Sequence, residues 1–272
     1  MSTVVDPPVT ARGVSLRVRD AAIRFGDFTA VSGVDLQVEP GEFVCLLGPS
    51  GCGKSTLLSA LAGFIRLAEG SIHCADEQVT GTNSHAGMVF QSTEVLFDWM
   101  TAAENVGYGP RMHGASAAVQ TRIAEHYLTM VGLGHAQHKY PSELSGGMRQ
   151  RVQIARVLAN EPRLMLMDEP FGALDAQTRV VMQEELSRIC GRTNSTVVFV
   201  THDIDEAIVL ADRIVVMTAG PAAGIKSVYP VDIDRPRERH TPGVTELFDQ
   251  LHADISVEVQ RSLAGQGLEE RE

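Results

Sequence analysis

One nine-residue stretch has the residue types and the spacing of a phosphate-binding loop. Residues 48–56 read GPSGCGKST, match the pattern G-x-x-x-x-G-K-[ST] and follow the apolar run FVCLL. Glycines allow such a loop to curl so that its backbone N–H groups point at phosphate oxygens. The alternative is a glycine-rich turn that binds nothing, and the register of strand, loop and helix argues against it.

Each residue of this loop is a predicted contact for a nucleotide. Lys54 can reach the β- and γ-phosphates, and the Ser55 hydroxyl can ligate Mg²⁺. Cys52 is predicted to fill space in the loop, with a redox role as the alternative. The predicted contacts are Gly48, Pro49, Ser50, Gly51, Cys52, Gly53, Lys54, Ser55 and Thr56.

Two acidic residues follow another apolar run. The segment LMLMDEP ends a predicted buried strand with Asp168 and Glu169. At the C-terminal end of a strand in a parallel sheet, such side chains point into the ligand crevice. There Asp168 would hold Mg²⁺ through water, and Glu169 could accept a proton from an attacking water molecule. Two acids in a surface turn are the alternative, which the phosphate loop before them and His202 after them argue against.

A histidine occupies the equivalent place after a third apolar run. The segment VVFVTHD carries Thr201, His202 and Asp203 at the end of a predicted strand. An imidazole there can hydrogen-bond a γ-phosphate and the attacking water. A lone histidine is more often structural, so the place of His202 at a strand end is what favours a catalytic role.

The segment ELSGGMRQRVQIARVL, residues 143–158, contains no metal-ligand cluster and no lysine. It places Ser145 and two glycines ahead of an amphipathic helix that is predicted from about Met148 to Ala159. A serine followed by bare glycines at a helix start can hold an anion on backbone N–H groups. Taken alone, the segment predicts a second anion site beside a stronger one.

Length and composition limit the classes of function that the sequence allows. The 272 residues are 44% hydrophobic and 21% charged, as in a globular protein of one large or two modest domains. No apolar run approaches the roughly 18–20 residues that a bilayer span needs, and we expect no signal peptide. The formal charge of −11 argues against nucleic acid as a partner. The four cysteines form no CxxC pair, which favours free thiols in a reducing cytosol.

Hydrophobic patterning predicts the elements that position these motifs. Apolar alternation over 14–18 and 34–38 predicts half-buried strands of an antiparallel sheet. Continuous apolar runs predict strands that are covered on both faces, as in a parallel α/β sheet. These runs lie at 43–47, 164–167, 197–200 and 214–217. Between 91 and 162 the pattern is mostly helical, with one helix predicted at about 117–131.

The motifs together resemble a known family. With GPSGCGKST, Gln91, LSGGM, LMLMDEP, Leu174-Asp175 and His202 in this order, the chain resembles an ABC-transporter ATP-binding subunit over about 14–235. The resemblance implies a P-loop NTPase (RecA-like) α/β core with an N-terminal antiparallel β subdomain and an inserted α-helical subdomain. The implied division is a core at about 14–91 and 162–235, a helical subdomain at 92–161, a C-terminal helical extension at 236–264 and a tail at 265–272.

The resemblance also implies that two copies of the chain sandwich two ATP molecules with Mg²⁺. Ser145, Gly146 and Gly147 would bind the γ-phosphate of the ATP held by the opposite subunit. Gln91 would touch Mg²⁺ or the attacking water and relay motion to a membrane subunit. The resemblance also implies that Asp175 belongs to the nucleotide site. Phe25 sits where the family stacks an aromatic ring on adenine, and Phe28 is its rival.

Details of the motifs resemble one branch of this family. Met148 stands where glutamine is more frequent, and Gly172 or Ala173 stands where serine is usual. The Met148 form and the segment RPRERHTPGVTELFDQL are similar to the nitrate/sulfonate/taurine branch of bacterial importers. The apolar residues after Gln91 would then lie near the groove that receives a membrane subunit, or they are core packing. These residues are Val95, Leu96, Phe97, Trp99 and Met100.

The implied function is ATP hydrolysis that powers a separate integral membrane permease, with a solute-binding protein as an indirect partner. The implied location is the cytoplasmic face of the cell membrane. The alternative is a soluble ABC ATPase in assembly or nucleic-acid processing, without transport. We expect no residue of this sequence to recognise the transported solute.

Overall fold

The computed structural model describes residues 13–92, 94–238 and 241–265, which form two β-sheets and seven labelled α-helices. The strands are β1 (Leu16–Phe25), β2 (Phe28–Val38), β3 (Phe43–Leu47), β4 (Glu69–Cys74), β5 (Glu77–Gln78), β6 (Ala86–Val89), β7 (Leu164–Asp168), β8 (Thr196–Val200), β9 (Arg213–Met217) and β10 (Ile225–Pro230). The helices are α1 (Lys54–Leu61), α2 (Ala102–Met112), α3 (Ala117–Met130), α4 (Gly146–Leu158), α5 (Ala176–Thr193), α6 (Ile204–Leu210) and α7 (Pro242–Gly265).

The first sheet is antiparallel and has the strand order β2-β1-β4-β5. Leu16 of β1 pairs with Val38 of β2, and Val18 pairs with Leu36. All four side chains are buried, while Arg17 and Gln37 between them are exposed. The antiparallel, half-buried strands predicted from the alternation are therefore confirmed.

The second sheet has the strand order β10-β9-β3-β8-β7-β6, in which only the edge strand β10 runs antiparallel to its neighbour. Its central strands are buried along their whole length because helices and the first sheet cover both faces. In β3, Cys45 and Leu47 face the apolar cluster formed with the later helices. Val44 and Leu46 face the cluster formed with α1 and the first sheet. The continuous apolar runs thus mark parallel strands, as predicted.

Helices α2, α3 and α4 lie between β6 and β7 in the chain. Thr101 caps α2, because its hydroxyl accepts the N–H of Glu104 while the Glu104 carboxylate accepts the N–H of Thr101. Helix α3 matches the predicted one to within a residue. Helix α4 begins at Gly146, two residues before the predicted start, since Ser145 is its N-cap and both glycines belong to the first turn.

Helix α7 packs beside α6. Val244, Leu247 and Leu251 of α7 join the apolar cluster, and Glu258 is fully buried. The Glu258 carboxylate accepts the N–H of Ala219 at 2.9 Å. Within the described part of the chain, no helix combines the length and apolarity that crossing a membrane demands.

Candidate functional site

The phosphate loop, the acidic pair and His202 follow the C-terminal ends of three adjacent strands. Strand β8 lies between β3 and β7, and all three run parallel. The loop follows β3, Asp168 ends β7 with Glu169 after it, and His202 comes two residues after β8. Parallel strands present their carboxyl ends at one edge, so three motifs that are far apart in sequence meet there.

Local backbone geometry shapes the phosphate loop. Gly51 and Gly53 have φ values of 78° and 94°, in the left-handed region that glycine adopts without strain. A Cβ atom on Gly53 would also lie 2.8 Å from Cγ2 of Val31, so β2 closes tightly over this turn. Gly53 is the N-cap of α1, whose first turn carries Lys54 and Ser55. The strand–loop–helix arrangement predicted from the motif is therefore present.

Lys54 is folded over its own loop. Its Nζ atom donates hydrogen bonds to the carbonyl oxygens of Gly48 and Pro49, each at 2.8 Å, and its side chain is buried. Nζ also lies 3.7 Å from Sγ of Cys52, which is a buried free thiol. Burial raises the pKa of the Cys52 thiol, so the thiol is held neutral in the loop.

Ser55 and Asp168 are joined directly. The Ser55 hydroxyl donates to Oδ1 of Asp168 at 2.9 Å, which links the start of α1 to the end of β7. Burial and, more weakly, the neighbouring Glu169 raise the pKa of Asp168, against the lowering effects of the Ser55 hydrogen bond and Lys54. A desolvated carboxylate beside a hydroxyl is a set of oxygen donors that suits a small, hard cation.

Glu169 is the meeting point of two other predicted site residues. Its Oε2 accepts a hydrogen bond from Nε2 of Gln91 at 3.2 Å, and its Oε1 lies 3.1 Å from Nδ1 of His202. The backbone of Glu169 has φ 44°, which is unusual for a residue with a side chain. Its N–H nevertheless donates to Val200 O at 3.0 Å. The sheet thus fixes this conformation, which aims the carboxylate between Gln91 and His202.

The Ser145 turn is separate from this cluster. Ser145 Oγ accepts the N–H of Met148 at 3.3 Å, as a helix N-cap does. A Cβ on Gly147 would lie 3.0 Å from the carbonyl oxygen of Ala173, so the turn packs beside the segment that leads to α5. Among the described residues, no hydrogen bond or ion pair joins this turn to the phosphate loop of the same chain. The N–H groups of Gly146 and Gly147 belong to the first turn, where helices leave them without intrahelical partners.

Asp175 makes local contacts. Its carboxylate caps α5 by accepting the N–H of Thr178 at 3.0 Å and the Thr178 hydroxyl at 2.7 Å. These hydrogen bonds lower the pKa of Asp175. Like Ser145, Asp175 is not brought to the phosphate loop of its own chain by any contact in the described structure.

Phe25 and Phe28 lie at the tip of the β1–β2 hairpin, where they pair across the turn. Phe25 is 52% exposed and Phe28 is 55% exposed, so their exposed fractions do not decide which ring would stack on adenine. Both rings are free to stack on a planar ligand.

The sequence did not indicate how the segment of Gln91 is held. With the Gln153 amide oriented to satisfy both groups, it donates to Phe90 O at 3.1 Å and accepts from Phe90 N–H at 2.9 Å. Arg156 donates to Val95 O at 3.0 Å and lies over the Phe97 ring. Helix α4, which Ser145 caps, therefore hydrogen-bonds to the backbone before Gln91, at Phe90, and after it, at Val95. Polar residues on a helix look alike in sequence whether or not packing covers them, so the sequence did not indicate these contacts of the buried Gln153 and the partly buried Arg156.

Comparison with known proteins establishes the class. The family model described as "ABC transporter" matches residues 31–172, and the chain belongs to this family. Among solved structures, the ATP-binding cassette MJ0796, in a dimeric post-hydrolysis state with ADP and Pi, superposes with a TM-score of 0.72 at 29% identity. That match covers 80% of this chain and 100% of the cassette. The P-loop NTPase fold with its antiparallel β and helical parts is thus confirmed.

Curated relatives fall in the importer branch that the sequence resembled. The nitrate import ATP-binding protein NrtD of Synechococcus elongatus is 44% identical over 232 residues, which are 84% of each chain. The bicarbonate transport ATP-binding protein CmpC of Synechocystis sp. is 48% identical over 216 residues. Those residues are 79% of this chain but 32% of CmpC, so the chain spans about a third of that relative.

Proposed function

We propose that the chain is an ATP-hydrolysing subunit that dimerises on ATP and powers a separate membrane permease. The observation that carries this proposal is the contact of Glu169 with both Gln91 and His202, beside the Ser55–Asp168 pair. A carboxylate held between an amide and an imidazole, next to a phosphate loop, is arranged to activate water against a terminal phosphate. The core at 14–91 and 162–235 would carry this site, and the helical part at 92–161 would carry the Ser145 turn.

The chemistry would proceed at the carboxyl edge of the second sheet. Lys54 would leave the carbonyl oxygens of Gly48 and Pro49 and pair with the β- and γ-phosphates. Water would attack the γ-phosphorus in line while its proton passes to Glu169. The bond from the γ-phosphorus to the bridging oxygen breaks, which releases ADP and phosphate. His202 would orient the attacking water and hydrogen-bond the γ-phosphate, since it already adjoins Glu169.

The residues present fit a magnesium ion. Ser55, Asp168 and Gln91 offer hydroxyl, carboxylate and amide oxygens, the donor types that Mg²⁺ takes, and the Asp168 carboxylate is already desolvated. Bound Mg²⁺ would neutralise charge on the phosphate oxygens. Until then, the hydrogen bond from Ser55 holds the Asp168 side chain at the loop.

The Ser145 turn would complete the site of a second copy. Its hydroxyl and the first-turn N–H groups of Gly146 and Gly147 form an anion-binding end on α4, and no contact joins it to its own loop in the described structure. Pairing of the turn with the opposite phosphate loop gives two shared ATP sites. The dimeric state of the MJ0796 cassette supports this arrangement. Asp175 would sit in the same interface, since the Ser145 turn packs beside its segment.

The permease would dock beside the segment that follows Gln91. Trp99 is 73% exposed and packs against Phe97, which in turn packs against Tyr108 of α2. Exposed aromatic clusters are typical of protein contact sites. A subunit docked on a permease in this way would be peripheral, and we propose that it lies at the cytoplasmic face of the cell membrane.

The transported solute would be nitrate, sulfonate, taurine or a similar small solute, in line with relatives named for nitrate and bicarbonate. No residue of the candidate site contacts that solute in this proposal. A solute-binding protein and the permease would select it.

Co-purification tests the transport role. A tagged chain extracted in mild detergent should bring down an integral membrane protein, and the Trp99→Ala variant should lose that partner. Val181→Ala is the matched control, because Val181 is an exposed apolar residue on α5 away from this cluster. A thermal-shift screen of small anions on the associated binding protein would then identify the solute. Purification without any membrane partner, together with ATPase activity, would favour an assembly ATPase instead.

A further inference from the structure

The turn that carries His202 is held by three polar neighbours from its own segment. The hydroxyl of Thr201 donates to Oε2 of Glu206 at 2.8 Å and accepts the N–H of Asp203 at 3.0 Å. The carboxylate of Asp203 accepts the N–H of Glu206 at 3.1 Å, which caps α6. His202 therefore stands between two residues whose side chains are tied to the start of one helix.

A residue from a different helix closes this network. Arg179, in the first turn of α5, has Nη1 at 3.6 Å from Oδ2 of Asp203 and Nε at 3.7 Å from Oε1 of Glu206. Its Nη2 donates to the carbonyl oxygen of Leu174 at 3.3 Å. Leu174 immediately precedes Asp175, the N-cap of α5. One guanidinium thus links the segment before Asp175 to Asp203, which follows His202 directly, and to Glu206 in the first turn of α6.

The position of Arg179 is matched to a buried negative charge. The Glu206 side chain is 6% exposed, and burial raises its pKa, while the Thr201 hydrogen bond and the charge of Arg179 act in the opposite direction. A buried carboxylate without a counter-charge is costly, so the Arg179 guanidinium stabilises the fold when it stays beside Glu206. The planar guanidinium group of arginine can contact several partners at fixed angles, which the single ammonium group of lysine cannot do.

We propose that Arg179 is a positioning residue that fixes the His202 turn to the start of α5, so that the imidazole stays beside Glu169 during hydrolysis. This inference rests on the proposed function of His202. It makes the geometry of the hydrolytic centre depend on the segment that carries Asp175. In the dimer proposed above, that segment lies at the subunit interface, so formation of the dimer and alignment of His202 would be linked through one side chain.

Steady-state kinetics test the inference. The Arg179→Met variant should lose about 10- to 100-fold in kcat, because a displacement of about 1 Å at a reacting group costs that much. KM and the affinity for a fluorescent ATP analogue should stay within about twofold, since no phosphate contact is removed. Arg188→Met is the matched control on the same helix, where the arginine pairs at the surface with Glu185. Arg179→Lys should give an intermediate kcat, because it keeps the charge and loses the planar guanidinium group.

A second measurement separates positioning from stability. Arg179→Met leaves Glu206 buried without its cation, so the double variant Arg179→Met/Glu206→Gln removes both charges and should recover the unfolding midpoint. Its kcat should remain low. The NMR signals of the His202 imidazole, assigned with a His202→Ala variant, should shift in Arg179→Met and not in Arg188→Met. Recovery of kcat together with stability, or unchanged imidazole signals, would overturn the inference. The NMR measurement does not depend on ATP turnover. It therefore tests the role of Arg179 even if the chain does not hydrolyse ATP, which is the proposal that Glu169→Gln tests.

Discussion

The Nδ1 atom of His202 lies 3.1 Å from Oε1 of Glu169, although 33 positions separate the two residues. The contact forms because β7 and β8 are parallel neighbours, with Asp168 paired to Val200 at the ends of the two strands. Gln91 approaches the other carboxylate oxygen from the end of β6, the strand on the far side of β7. Three adjacent strand ends therefore supply one carboxylate with two fixed partners.

The first prediction concerns Glu169 as general base. Glu169→Gln should lower ATP turnover by at least about 100-fold, the range that a positioned general base contributes. ATP binding should persist, because the phosphate loop is intact, and the variant should accumulate as an ATP-bound dimer on size-exclusion chromatography. Glu184→Gln, an exposed acid on α5, is the control and should hydrolyse ATP normally. Turnover by Glu169→Gln at the wild-type rate would remove the assignment.

The second prediction concerns the Ser145 turn. Ser145→Arg should block hydrolysis while the isolated monomer keeps its ATP affinity, because the turn acts on the ATP of the opposite subunit. Titration of a fluorescent nucleotide at low protein concentration measures the monomer, and ATPase assays at high concentration measure the dimer. Loss of ATP binding by the monomer would contradict action across an interface.

The third prediction concerns the ion cluster that joins α7 to β10. Nζ of Lys226 lies 2.8 Å from Oδ1 of Asp254 and 2.9 Å from Oε1 of the buried Glu258. Lys226→Met should lower the free energy of unfolding by about 1–3 kcal/mol, since the acids lose a partly buried cation. Urea unfolding measures this loss. Arg261→Met is the control, because Arg261 also pairs with Glu258 but is 64% exposed. An equal loss in both variants would contradict the central role of Lys226.

The fourth prediction gives the pH dependence of that cluster. Burial alone would raise the pKa of Asp254 and of Glu258, but hydrogen bonds that include those from Lys226 hold both below their usual values. Groups with a depressed folded pKa stabilise the fold above their unfolded pKa, which is about 4, and lose that contribution as the pH falls further. The difference between wild type and Lys226→Met should therefore be full at pH 7 and shrink below about pH 4. A difference that grows in acid would contradict this sign.

The fifth prediction concerns Arg237, in the segment RPRERH that marked the importer branch. Its buried guanidinium donates to four carbonyl oxygens, those of Ile208, Ala211, Val231 and Ile233. Arg237→Lys should cost roughly 2–4 kcal/mol of stability, because lysine cannot satisfy these acceptors together. Arg235→Lys is the control, since Arg235 is 40% exposed. Equal urea midpoints for the two variants would show that the bonds of Arg237 carry no net stability.

Much of the fold follows from local pattern. The alternation at 14–18 predicted an antiparallel sheet, because a strand with one solvent-exposed face alternates apolar and polar residues. The continuous apolar run at 43–47 predicted a parallel sheet, because its strands are covered on both faces. The helix at α3 and the loop–helix step at Lys54 were likewise local properties. The predicted start of α4 was two residues late, since glycines argue against a helix unless an N-cap serine precedes them.

The site was predicted residue by residue, but its connections were not. The sequence predicted that Lys54 opens a helix after a strand–loop step, and that Asp168, Glu169 and His202 follow the ends of buried strands. Strand order, which long-range pairing decides, determines that Ser55 meets Asp168 and that Glu169 lies between Gln91 and His202.

The sequence by itself determined which chemical groups this protein has and which turns and strands hold them, because those depend on residues close together in the chain. Only the tertiary structure decided the contacts of Arg179 with Asp203 and Glu206 and of Gln153 with Phe90. Polar side chains of this kind look like ordinary surface residues in sequence, yet packing buries Glu206 and Gln153 and partly covers Arg179 and Asp203. Their roles come from the partners they meet after the strands are ordered, and burial then makes those partners costly to lose.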